Sequence, residues 1–205
     1  MIDFEYAGRN VRGVWRMALD EPGWTDDIDR SVDGVFRSFW AMALAAPFAL
    51  LAFHSAARAA RLSPRYAETV FAKAPAPVII SAEMLGFIAS WAASVAALGA
   101  IARALKSSNR AASLIVTFNW SQLLTMAVAS IPAALLALTG ATQLFVLLAL
   151  PAIVFSFFVM WGVLRRNLSV TIGVAISLIA LLTLIELLVN AATTQGAVAL
   201  VQLLS

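Results

Sequence analysis

The sequence predicts an all-α fold: a polytopic membrane helix bundle of five transmembrane helices with an N-terminal amphipathic surface helix. Three observations carry this. Of the 205 residues, 62% are hydrophobic and 12% charged, against about 45–50% and about 25% in soluble domains, so too few polar side chains exist to cover a soluble core. The apolar residues gather into five runs, each close to the roughly 20 residues that cross about 30 Å of hydrocarbon. The first 35 residues differ sharply, holding eight acidic residues and four arginines. They lack the basic, apolar and cleavage regions of a secretory leader, so none is expected.

Residues 4–19 have helical periodicity. Phe4, Ala7, Val11, Val14, Trp15 and Ala18 share one side of the wheel, while Arg9, Arg12 and Arg16 cluster on another. This predicts a surface helix with Arg9, Arg12, Arg16 and Trp15 as membrane-surface contacts, the arginines toward anionic headgroups. A cover helix packed on the ends of the spans fits the same pattern. Pro22-Gly23 breaks the chain, and Thr25 is placed to cap a helix with Asp26, Asp27 and Asp29 in its first turn. Asp26 with Arg30 and Asp33 with Arg37 have i,i+4 spacing.

The spans are expected near Ser38 to Ala57, Val78 to Ala102, Leu114 to Leu138, Leu144 to Leu164 and Val170 to Val189. Asn190 to Ser205, uncharged and moderately apolar, either prolongs the fifth helix or lies in the interface. The organisation is therefore a cytoplasmic N-terminal region, residues 1–35, and a five-span bundle, residues 36–205. Ten basic residues fall on the side of the N-terminus and four (Arg58, Arg61, Arg65, Lys73) on the other. That asymmetry predicts a cytoplasmic N-terminus and a periplasmic C-terminus. Trp40 and Trp161 fall where interfacial rings anchor. The excess of arginine over lysine, with the many alanines, fits a bacterium of GC-rich genome, so the expected location is a bacterial inner membrane.

Little in the chain supports catalysis. No cysteine is present and His54 is the only histidine, which removes thiolate chemistry and multi-histidine metal sites. GxSxG, HExxH, phosphate-loop and dinucleotide motifs are missing. No catalytic residue, metal or cofactor is expected, and the basic clusters beside apolar runs point to a bilayer rather than to nucleic acid. The acidic run from Asp26 lacks calcium-loop spacing.

The candidate polar site comprises Glu83, Glu186, Asn119 and Gln122. Glu83 lies early in span two and Glu186 about three residues from the end of span five, so regular alternation places both in the outer leaflet. Intramembrane acids are functional candidates, and a shared site would suit a proton relay. In the alternative both acids are shallow and meet Lys73, Arg65 or water. Asn119 and Gln122 either join the site or hydrogen-bond across helices. In span two, Ala82, Gly86, Ser90 and Ser94 form one small-residue row and Ala89, Ala93 and Ala97 another, predicting a packing hub.

The Thr117-Phe-Asn-Trp-Ser-Gln122 stretch and the Pro47-centred first span, in this order of elements, resemble the Yip1-like family of five-span membrane proteins. That resemblance implies a non-enzymatic protein and carries over no catalytic residues. The expected function is a scaffold or accessory subunit. Its partners are the lipid bilayer and another membrane protein or a second copy. The alternative is a small proton-linked transporter or channel using Glu83 and Glu186.

Overall fold

The computed structural model describes residues 3–62 and 75–204, and all regular structure among them is helical. An N-terminal layer comprises α1 (Phe4–Ala18), α2 (Trp24–Asp27) and α3 (Val32–Ser38). The long helices are α4 (Trp40–Leu62), α5 (Ala76–Ala104), α6 (Ala111–Thr139), α7 (Thr142–Leu168) and α8 (Ile172–Leu204). Five stretches are long and apolar enough to cross a membrane: Val32–Ser55, Ala76–Ala104, Ser108–Thr139, Thr142–Leu168 and Ile172–Ala199. The protein is thus a multi-pass helical membrane protein.

Local chemistry sets the ends. Asp3 caps α1 by accepting the Tyr6 N–H at 2.9 Å. The helix leading into span one is capped by Ser31, whose Oγ accepts from Gly34 N at 2.9 Å. This corrects the expectation for Thr25, which lies inside the short α2. Because the helix restarts at Val32, Asp26 and Arg30 share no helix and do not pair; Asp33 and Arg37 both lie in α3, but Arg37 turns to Asp3, 3.7 Å away, and no Asp33–Arg37 pair forms among the described residues. Pro75 and Pro77 open α5, where the missing N–H has no intrahelical role. Gly140, at φ 69°, ends α6 and returns its N–H to Leu136 O at 2.9 Å, so α7 begins two residues later.

The helix of the fifth span, α8, takes the first of the two courses expected for residues 190–205. It runs on through Asn190 to Leu204 because the Thr193 hydroxyl returns to the carbonyls of Val189 and Asn190, at 3.1 and 3.0 Å. A polar side chain satisfied on its own backbone does not need water, so it does not end the helix.

The packing hub is α6, not span two. It touches α1, α3, α4, α5 and α7, and Leu114, Val116, Thr117, Phe118, Asn119, Trp120 and Ser121 are all buried. This enclosed first half of α6 places polar residues in the interior, where Thr117, Asn119 and Ser121 find hydrogen-bond partners. Of the two small-residue rows on α5, the one containing Ala82, Gly86, Ser90 and Ser94 is buried, whereas Ala89 is exposed. A Cβ on Gly86 would stand 2.8 Å from Thr193 Oγ1 and 3.0 Å from Asn190 Oδ1, so this row brings α5 and α8 into close contact.

At the end of the bundle where the N-terminus lies, α1 packs on α6 and α7. Val14 and Met17 are fully buried, and Gly162 of α7 lies so near Ala18 that an added Cβ would stand 2.6 Å from its Cα. The buried face comprises Tyr6, Ala7, Asn10, Gly13, Val14, Met17 and Ala18. It is rotated from the expected one: Phe4 is 73% exposed and Trp15 38%. The rotation is possible because Asn10 is satisfied internally. Its Nδ2 donates to Tyr6 O at 2.8 Å and its Oδ1 accepts from Asp29 N at 3.2 Å, so a residue that the wheel leaves on the polar side can face the core.

Candidate functional site

The antiparallel contact of α5 with α8 builds a polar cavity inside the spans. Ser90 Oγ donates to Asn190 Oδ1 at 3.3 Å, which together with the Gly86–Thr193 contact sets the register. A cavity of about 70 Å³ opens beside this contact. Glu83, Ser90, Ser94, Gln122, Glu186 and Asn190 supply its polar lining, with Phe53, Phe87, Trp91 and Met126 completing the wall. A water needs roughly 10–15 Å³ of such space and two to four polar partners, so the cavity is large and polar enough to hold several.

A second cavity, about 190 Å³, adjoins the first and shares Ser94, Gln122, Met126 and Glu186 with it. It extends between α6, α7 and α8 past Thr125, Ser156 and Thr183 to Met160 and Ile179, toward the end of the bundle that carries α1. Glu186 therefore stands where the two cavities meet.

Three of the four predicted polar residues, Glu83, Glu186 and Gln122, line one cavity. Their arrangement differs from expectation in two ways. Glu186 is not near a helix end: the continuation of α8 places it midway between Ile172 and Ala199. Nor are the carboxyls side by side. The register levels Glu186 with Ser94, three helical turns from Glu83, or about 16 Å at 1.5 Å per residue. Glu83 is half-buried and Glu186 is exposed. Among the described residues neither makes an ion pair. Arg65 and Lys73, the partners in the shallow alternative, lie outside the described residues, as does the side chain of Arg61.

Asn119 stands behind the wall. It accepts the Trp91 indole N–H at 2.8 Å and donates to Ser38 Oγ at 2.8 Å. It therefore fixes the ring that lines the cavity without lining it itself. Sequence reasoning missed Asn190, which lies beyond the expected end of span five. Its signal is the four-residue spacing from Glu186, one turn along the same helix face. Ser90 and Ser94 combine the packing role expected of the small-residue row with lining the cavity.

The predicted surface residues are divided between two tasks. Arg12 reaches Asp27 Oδ1 at 2.9 Å and Arg16 reaches Asp27 Oδ2 at 2.8 Å, with Glu21 3.4 Å from Arg16. The hydrogen bonds from Arg12 and then Arg16 hold the Asp27 carboxyl below the usual range. Trp15 stacks on Phe155 at 5.8 Å between ring centroids. Arg9 is exposed, its guanidinium 5.7 Å from the Tyr6 ring. Beneath them Tyr6 donates its hydroxyl to Asp29 at 3.2 Å. Burial, followed by the Asp29 charge, pushes the Tyr6 phenol up to about 12.

At the opposite end of the bundle, Arg58 donates to Ala137 O at 2.8 Å, in the last turn of α6. A cation there meets the negative end of the helix dipole, which accounts for one of the four basic residues that ran against the charge asymmetry.

No family model, no curated protein and no solved structure matches this chain.

Proposed function

We propose that this protein is a non-enzymatic membrane protein that carries protons through the spans, coupled or not to a solute, with Glu186 as the central exchanging group and Glu83 as its entry on the side away from α1. One observation carries the reading: a carboxyl midway along an apolar helix, at the junction of two cavities whose largely apolar walls carry hydroxyl, amide and carboxyl side chains. Ionisable side chains within spans are costly and characteristically line ion or proton pathways. Carboxyls, hydroxyls and amides in series provide groups that bind and pass a proton. Two acids about three turns apart cannot ligate one metal ion together, which favours stepwise proton transfer.

The test uses the full chain in liposomes that enclose a pH-sensitive dye, with an imposed pH gradient. Wild type is expected to dissipate the gradient faster than empty vesicles, and Glu186→Gln to remove the excess rate. Glu83→Gln is expected to slow it. Wild-type vesicles no leakier than empty ones, both without and with a potassium ionophore to relieve charge build-up, would reject the reading.

The scaffold reading remains a second proposal because Phe4, Val32 and Phe36 stand exposed on the N-terminal layer, each more than 70%. Capture of a defined membrane partner in mild detergent, lost in Phe36→Ser, would support it. We also propose a bacterial inner membrane with the N-terminus in the cytoplasm. The support is the gathering of Arg103, Lys106, Arg110, Arg165 and Arg166 at the end of the bundle that carries α1. Kinship with the Yip1-like family belongs to the same proposal and rests on the enclosed Thr117–Gln122 stretch of α6.

A further inference from the structure

We propose that the outer groove between α7 and α8 binds one anionic phospholipid, with an acyl chain in the groove and the phosphate at Arg165. The groove, about 820 Å³, is walled by Val154, Phe157 and Trp161 of α7 and by Ile176, Ala180 and Leu187 of α8. From Ile176 to Leu187 is three helical turns, about 16 Å, roughly the depth of one leaflet of a 30 Å hydrocarbon core. A groove of that length open to the bilayer is suited to a chain running along it.

The head of the site is the side chain of Arg165, one turn beyond Trp161. Its guanidinium carbon stands 5.1 Å from the Trp161 ring centroid, so the same ring walls the groove and holds the cation. The neighbouring Arg166 is neutralised by Asp20 at 2.7 Å. Arg165 has no acidic partner among the described residues. An apolar slot ending at an unneutralised cation beside an interfacial tryptophan complements a molecule with an apolar tail and an anionic head. Zwitterionic lipid fills the slot but brings its own cation to Arg165. A second copy seated through the same face would set Arg165 against Arg165.

Native mass spectrometry of the full chain in mild detergent, with phosphatidylglycerol and phosphatidylcholine added in equal amounts, tests the proposal. Wild type is expected to retain one phosphatidylglycerol in preference to phosphatidylcholine. Arg165→Gln should lower phosphatidylglycerol retention about fivefold, the effect of one basic residue near a lipid phosphate, and leave phosphatidylcholine unchanged. Arg165→Lys should keep most of the preference, and Ala180→Trp, which fills the slot, should lower both lipids. Unchanged thermal unfolding without lipid establishes that each variant is folded. Equal retention of the two lipids by wild type, or wild-type phosphatidylglycerol retention by Arg165→Gln, overturns the proposal. A lipid-free dimer overturns it too and gives the face to a second copy.

Discussion

Trp91 donates its indole N–H to Asn119 Oδ1 at 2.8 Å, so a ring that walls the intramembrane cavity is held by an amide in the enclosed half of α6. Replacing Asn119 with Leu leaves the buried Trp91 N–H without its acceptor and removes the N–H that Ser38 Oγ accepts, although the Ser38 hydroxyl still donates to Val35 O. A loss of about 1–3 kcal/mol is expected in reversible unfolding in detergent. In the Asn119→Leu background, Trp91→Phe should then cost less than it does alone, as a double-mutant cycle would show. Additive losses would mean that the hydrogen bond contributes no coupling.

The N-terminal layer should detach in acid. The folded Asp27 carboxyl lies below its ordinary range, chiefly through the bonds from Arg12 and Arg16, so the unfolded form takes up a proton first as the pH falls. The contribution is fully present above the unfolded value near 4 and is lost as the pH drops through the lower folded value. Protease cleavage within residues 1–20 should accelerate in that window, and Asp27→Asn should be cleaved readily at neutral pH.

The same layer should loosen in strong base for the opposite reason. The Tyr6 phenol is raised to about 12, so its contribution is complete below pH 10 and disappears as the pH rises through 12. Tyr6→Phe should abolish that alkaline loss, measured as cleavage or as a change in tryptophan emission.

Gly162 permits the close approach of α7 to Ala18. A valine there must displace backbone, not a side-chain tip, so overpacking of about 1–3 kcal/mol is expected, borne by the α1 contact. Trp15 should leave Phe155 and become more accessible to a water-soluble quencher. Equal quenching in wild type and Gly162→Val would place the strain elsewhere.

Glu186 should oppose stability while serving transport. Carboxylates at a span centre cost about 3 kcal/mol on insertion scales. Glu186→Leu should therefore raise the unfolding midpoint while removing proton flux. A lowered midpoint would show that Glu186 makes stabilising contacts.

The sequence by itself determined the class, the five spans and the candidate acids, because a chain with so few charges has one medium in which it can bury its surface. Length and hydropathy are local quantities, so the spans are legible without a fold. Which face of a helix is buried is not local. Tyr6 and Asn10 enter the core only because Asp29, nineteen residues after Asn10, meets them both. The depth of Glu186 likewise depended on whether α8 continued past Asn190, which Thr193 and the α5 contact allow. Only the tertiary structure could set Glu83, Gln122 and Glu186 along one cavity and leave Asn119 behind its wall, since those positions come from the register of α5 on α8 and the rotation of α6. Register and rotation are settled by hydrogen bonds and close contacts between residues far apart in the chain, and no periodicity within a single helix encodes them.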